Sequence, residues 1–118
     1  MHRVDFITTE RGDDLIVSFA IAAGDFPGDV LSLTLLRTPE YEFILDPDEQ
    51  GVSVSWEEDE DENELLLAVE RSGDVVKLKT TTRQFILDVS HVEDDDLRRM
   101  RKVLHKMNFD MAIQLRGI

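Results

Sequence analysis

Alternation of apolar and polar residues over the first ninety positions is the feature that most restricts the fold of this chain. A period of two is typical of β-strands. Stretches rich in Gly, Asp, Pro and Ser separate the alternating runs, and no helical pattern lies between them. The pattern predicts strands connected by short turns, which favours an antiparallel sheet over parallel βαβ units.

Eight short strands are predicted before residue 90, including runs at 41–45 and 52–56. A helix is predicted over residues 94–107, because apolar side chains recur there on one face, and a short final strand is predicted at 111–115. The fold class expected is α+β: a mainly antiparallel sheet, or a small barrel or sandwich, with one C-terminal amphipathic helix. Residues 1–118 are expected to form a single domain. The apolar helix residues are Leu97, Met100, Val103, Leu104 and Met107.

Composition excludes several classes of site. The 118 residues include no cysteine, so a disulfide framework, a thiol nucleophile and a cysteine-based zinc site are excluded. No apolar stretch approaches the ~20 residues of a membrane-spanning helix, and no apolar signal region follows the N-terminus. We therefore expect a cytoplasmic protein without membrane contact.

Charge is distributed very unevenly. The chain has a net charge of −13, with 26 acidic residues against 13 Lys and Arg. No Lys, Arg or His lies between Arg37 and Arg71, whereas half of the acidic residues do, so residues 38–70 account for the whole excess. Residues 57–64 are predicted to form an acidic loop. Localised negative charge can steer a basic partner, and it disfavours direct binding to nucleic acid.

The predicted function is a small non-enzymatic binding module that engages a basic protein. Composition of this kind is common among inhibitors and immunity proteins that neutralise basic toxins or nucleases, and the acidic tract could also mimic nucleic-acid phosphates. Alternation places the chain's only Tyr and Trp in inward rows, but an open sheet face would make them a contact patch. The predicted partner-binding residues are Glu57, Glu58, Asp59, Glu60, Asp61, Glu62, Glu64, Tyr41 and Trp56.

Two alternatives are open. The chain could be a structural or housekeeping domain, possibly homodimeric, whose acidic loop confers solubility. Residues 46–57 also match a calcium loop in part, because positions 1, 3, 5, 6 and 12 of an EF-hand are read as Asp46, Asp48, Gln50, Gly51 and Glu57. The flanking residues alternate like strands instead of helices, which favours a hairpin turn, and we expect no metal or other cofactor.

Residues for catalysis are not evident, and we expect no enzyme. Ser90 and His91 are adjacent and would point to opposite faces of a strand, so they do not form a triad with Asp88. The cationic residues between Arg98 and Lys106 are first explained as the polar side of an amphipathic helix. They could alternatively meet phosphate, an anionic membrane, an acidic partner or the acidic tract of a second copy.

Overall fold

The computed structural model describes residues 1–24 and 28–118, except for the side chains of residues 60–63. In this part of the chain, eight strands and one α-helix are found. They are β1 (His2–Arg11), β2 (Leu15–Ala22), β3 (Val30–Arg37), β4 (Ser53–Trp56), β5 (Asp59–Ser72), β6 (Val75–Thr80), β7 (Gln84–Asp88), α1 (Asp94–Met107) and β8 (Gln114–Arg116). The predicted α+β fold with a C-terminal helix and a short final strand is confirmed.

The sheet closes on itself. Its strand order is β4-β3-β2-β1-β7-β6-β5-β8, and β4 also pairs with β5. Strands β1 to β7 therefore form a ring, which identifies the small barrel among the predicted arrangements. Neighbouring strands are antiparallel except at the short β1–β7 and β5–β8 pairings. Closure is possible because β5 is long: its first half pairs with β4 and its second half with β6 and β8.

The core is one cluster of apolar side chains contributed by the strands and α1. Helix α1 packs against β1 and β2 through its predicted apolar face. Burying a side chain of this size contributes about 1.5–3 kcal/mol, so the five buried residues fix the helix on the sheet. Three acidic residues occupy its first turn, where the helix dipole favours negative charge. Within the described residues, no helix is both long and apolar enough to cross a membrane.

The prediction of a strand at 41–45 is wrong. Residues Pro39–Ile44 form a 3₁₀ helix, and a second 3₁₀ helix follows at Pro47–Glu49. Proline is favoured at the first position of a helix because its fixed φ suits the helix. A backbone N–H at that position would have no acceptor within the helix, so proline loses nothing by lacking one. Apolar alternation resembled a strand, but the prolines start helical turns. We refer to the chain between β3 and β4 that contains both 3₁₀ helices as the 39–50 segment.

The prediction of an acidic loop at 57–64 also differs from the structure. Glu57 and Glu58 form a tight turn, and the remaining residues begin β5, where Asp59 lies opposite Trp56. Arg83 lies next to this part of β5 and offsets some of its like-charge repulsion. The Arg83 guanidinium contacts the carboxylates of Asp59 at 3.3 Å and Glu64 at 2.5 Å.

Candidate protein-binding surface

Arg37, at the end of β3, fixes the 39–50 segment to the loop that follows α1. Its side chain is 2% exposed. Its Nε and Nη2 donate to the two carboxylate oxygens of Glu42, at 2.7 and 3.0 Å. Its Nη1 and Nη2 donate to Asp110, at 3.0 and 2.8 Å, and Nη1 also donates to the carbonyl of Met107 at 2.8 Å. The ring of Phe109 lies 4.2 Å from the guanidinium carbon, which adds a cation–π contact.

These contacts keep the cluster charged. Burial alone would lower the pKa of Arg37, but the hydrogen bonds to Asp110 and Glu42 raise it above its ordinary value. The hydrogen bond from Arg37 in turn lowers the pKa of Asp110. A charged two-point pair with this geometry is directional. It therefore determines how the 39–50 segment sits on the barrel.

The far end of the 39–50 segment is also fixed. The side-chain amide of Gln50 donates to the carbonyls of Glu42 and Leu45, at 3.0 and 3.3 Å. The backbone N–H of Gly51 donates to Oε1 of Glu42 at 3.2 Å. The Glu42 side chain therefore points toward the barrel, while the side chains of the adjacent Tyr41 and Phe43 point into solvent.

Large apolar side chains are exposed on both segments that Arg37 joins. Tyr41 is 57% exposed, Phe43 80% and Ile44 68%. Phe109 and Met111, on the loop after α1, are exposed as well. We call these five residues the apolar surface. Exposed apolar groups concentrated in this way are typical of interaction sites, whereas scattered single residues are not.

Carboxylates accompany the apolar surface. Glu40, Asp46, Asp48 and Glu49 are exposed in the 39–50 segment. Among the described residues, none of the four makes an ion pair. The segment thus combines exposed aromatic and aliphatic side chains with carboxylates that make no ion pair, although Glu40 shares a groove with His105 and Lys106 of α1.

The acidic turn after β4 is a separate surface. Glu57 accepts a hydrogen bond from the backbone of Ser32 at 2.6 Å, near the start of β3, whereas Arg37 lies at the end of that strand. Five residues of extended strand span about 16 Å. The structure therefore divides the predicted partner-binding residues: Tyr41 belongs to one end of β3, and Glu57 and Glu58 belong to the other.

Two other predicted residues, Asp59 and Glu64, are paired internally. Glu64 is 2% exposed, and its Oε2 accepts a hydrogen bond from Thr80 Oγ1 at 2.8 Å in addition to the Arg83 ion pair. Burial would raise the pKa of Glu64, but hydrogen bonds from Arg83 and threonine side chains lower it. Glu64 therefore acts within the fold. The side chains of Glu60, Asp61 and Glu62 lie outside the described residues.

Trp56 belongs to the core. Its side chain is 7% exposed, and its ring centroid lies 5.7 Å from that of His2 and 6.0 Å from that of Phe85. The inward position predicted from alternation is confirmed for Trp56. Tyr41 differs from that prediction, because the residues around it form a 3₁₀ helix and leave it exposed.

The geometry at 46–57 is not that of a helix–loop–helix calcium site. Asp46 and Asp48 lie at a 3₁₀ turn, Gln50 donates to backbone carbonyls, and Glu57 is beyond strand β4. In the part of the chain that the structure describes, no three His, Asp or Glu residues are grouped to hold a metal ion. The pKa of Asp88 is lowered by hydrogen bonds from the Ser90 side chain and from the Ser90 backbone N–H, the latter at 3.0 Å, which form a local turn.

The cationic side of α1 meets the acidic interval at Glu40, which lines a groove together with His105 and Lys106. Within the described residues, no ion pair joins either of them to Glu40. Arg98 and Arg99 instead pair with Asp95 and Asp96 in the first turn of the same helix, at 3.0 and 3.3 Å. The ion pairs described for residues 38–70 join Glu42 to Arg37, and Asp59 and Glu64 to Arg83. The exposed carboxylates of Asp46, Asp48 and Glu49 therefore remain available to an outside molecule.

Sequence reasoning missed the buried arginine pair, although one signal was present. Leu33, Leu35 and Arg37 are in phase along β3, so the alternation that places both leucines inward places Arg37 inward as well.

Comparison of the chain with protein-family models, curated proteins and solved structures finds no match. Its function is therefore inferred from its own geometry.

Proposed function

We propose that this protein is a non-enzymatic binding module that engages a basic protein through the 39–50 segment. The observation that carries the proposal is the exposure of Tyr41, Phe43 and Ile44 in a segment that also exposes carboxylates. Within the described residues, the carboxylates of Asp46, Asp48 and Glu49 make no ion pair. Aromatic side chains in the middle of an interface supply much of its binding energy, and surrounding charges select the partner. An acidic rim selects a partner rich in Lys and Arg.

Rigidity of the surface supports this proposal. Ordering a flexible loop on binding costs free energy, which lowers affinity. Here the Arg37–Glu42 pair and the Gln50 hydrogen bonds hold the segment before any partner arrives. The acidic turn at Glu57 and Glu58 lies farther away and would act through its long-range field, by raising the association rate.

A second copy of this chain is a weaker occupant of the same surface. Pairing two identical 39–50 segments would bring their carboxylates together, and like charges in contact oppose association. Light scattering separates the two cases. A dimer that dissociates when Phe43 is changed to Ser would contradict the proposal of a basic partner.

The test is capture from extracts of the source cell, with bound proteins identified and then purified for direct binding. The proposal predicts a partner of net positive charge whose binding weakens with salt, because the screening length falls from about 10 Å at 0.1 M to about 3 Å at 1 M salt. A combined Tyr41→Ser and Phe43→Ser variant should lose the purified partner. Changes of Glu57 and Glu58 to Gln are the matched control and should mainly slow association.

A further inference from the structure

A groove between the end of β1 and the outer face of α1 is lined by cations. Its walls are formed by Thr9, Arg11, Arg99 and Lys102, and its volume is about 350 Å³. Among the residues that the structure describes, no acid lines this groove, although the chain has a net charge of −13. The three charged groups come from two elements that are distant in sequence, so their meeting is a product of the fold.

The frame behind the groove is rigid. Thr9 and Arg11 are two residues apart on β1 and share a face of that strand, while Arg99 and Lys102 are three apart on α1 and share a face of that helix. The opposite face of α1 is buried against the sheet. The backbone positions of the four side chains are consequently fixed relative to one another.

Two of the three cations are uncompensated. Among residues 1–24, 28–59 and 64–118, Arg11 and Lys102 make no ion pair. Arg99 contacts Asp96 at 3.3 Å through Nη1 alone, and its own side chain is 64% exposed whereas that of Asp96 is 21% exposed. A single contact made by a largely exposed arginine contributes little, so Arg99 can turn toward a stronger anion.

We infer that this groove binds the phosphate group of a small phosphorylated molecule. Arginine guanidinium groups donate two parallel hydrogen bonds to phosphate, lysine supplies a point charge, and the Thr9 hydroxyl adds a further donor. Ligand pockets have volumes of roughly 300–1,000 Å³, so the groove has room for a phosphate and an attached group. The groove lies outside the 39–50 segment, and this inference is independent of the proposed protein partner.

The experiment is a backbone amide NMR titration of the whole protein with inorganic phosphate, pyrophosphate and ribose 5-phosphate. Ionic strength is held constant with sodium chloride. Binding should shift the amide resonances of residues 9–11 and 99–102. Pyrophosphate and ribose 5-phosphate should bind more tightly than inorganic phosphate. Because the net charge opposes all anions, we expect dissociation constants near the millimolar range.

Matched variants decide the outcome. Arg11→Ala and Lys102→Ala should each weaken binding by about tenfold, since a hydrogen bond to a charged group contributes about that much. Lys77→Ala removes an exposed cation on β6 and should leave binding unchanged. Both groove residues are exposed, so the variants should retain the wild-type spectrum elsewhere. Equal shifts with chloride, or shifts that survive both groove variants, would overturn the inference.

Discussion

Arg37 and Glu42 are joined by two parallel hydrogen bonds, from Nε to Oε1 at 2.7 Å and from Nη2 to Oε2 at 3.0 Å. The pair lies under the 39–50 segment, and Asp110 completes it from the loop after α1. One buried arginine thus connects three parts of the chain: the end of β3, the first 3₁₀ helix and the end of α1.

Replacing Arg37 with Met should destabilise the protein by about 3 kcal/mol, because Glu42 and Asp110 would be left without their cation. Adding Glu42→Gln should recover part of that loss. Arg98→Ala removes an exposed pair and should change the free energy of unfolding by no more than about 0.5 kcal/mol. Urea unfolding measures all three variants. Equal stability of the Arg37 and Arg98 variants would contradict the structural role of Arg37.

Alanine substitution of Trp56 should destabilise the protein strongly, whereas substitution of Tyr41 should not, although the sequence predicts both as residues of one contact surface. Trp56→Ala removes a core side chain packed on His2 and Phe85 and should cost about 3–5 kcal/mol. Tyr41→Ala changes an exposed side chain and should stay within about 0.5 kcal/mol of wild type. Thermal unfolding distinguishes them. A large loss of stability in the Tyr41 variant would show that this residue belongs to the core.

Glu64 should make stability depend on acidic pH. Its pKa is lowered in the folded protein, so its contribution is present above the ordinary value of 4.5 and is lost as the pH falls through the lower folded value. Glu64→Gln should be less stable than wild type at neutral pH by about 2 kcal/mol, because charged hydrogen bonds to Arg83 and Thr80 weaken. This difference should shrink on acidification below pH 4.5.

The matched control for Glu64 is Glu58→Gln, a change of an exposed turn residue in the same acidic tract. The difference in free energy of unfolding between this variant and wild type should be small at neutral pH and should not change on acidification as it does for Glu64→Gln. Denaturant unfolding at a series of pH values provides both curves. A difference between wild type and the Glu64 variant that grows on acidification would have the wrong sign for a lowered pKa.

Gly117 should be intolerant of a side chain. Its φ is +71°, and a Cβ there would lie 2.2 Å from the backbone oxygen of Arg71 on β5. Gly117→Ala should therefore cost at least about 1 kcal/mol and loosen β8 from the sheet. Gly12→Ala is the matched control, since nothing lies within 4 Å of its added Cβ. Hydrogen exchange at residues 114–116 should accelerate only in the Gly117 variant.

The strands and the helix could be predicted from local pattern because each has one buried face. Leu15, Val17, Phe19 and Ile21 show the period of two along β2, and Leu97, Met100 and Val103 show the helical period in α1. Barrel closure could not be predicted in this way. It depends on β5 pairing with different strands along its length, and the hydrogen-bonding edges of a strand carry no residue pattern.

The candidate surface was predicted only in part. The sequence marks Tyr41 as a contact residue, but the alternation at 41–45 predicts a strand that would place it inward. Pro39 instead starts a 3₁₀ helix that leaves Tyr41 exposed. The run of acids around Glu64 predicts that the Glu64 carboxylate is exposed, because charge runs usually lie in solvent. Its internal role depends on Arg83, nineteen residues away, and such a pairing follows from the β5–β6–β7 arrangement and not from local sequence.

The central claim is that the 39–50 segment contacts a basic protein through its apolar side chains, while the acidic turn acts at a distance. Binding kinetics with the purified partner test this most directly. A Tyr41→Ser and Phe43→Ser variant should dissociate at least about thirtyfold faster, as expected for a loss of 2 kcal/mol at interface centres. A Glu57→Gln and Glu58→Gln variant should slow association with little effect on dissociation. Unchanged dissociation in the serine variant would contradict the account.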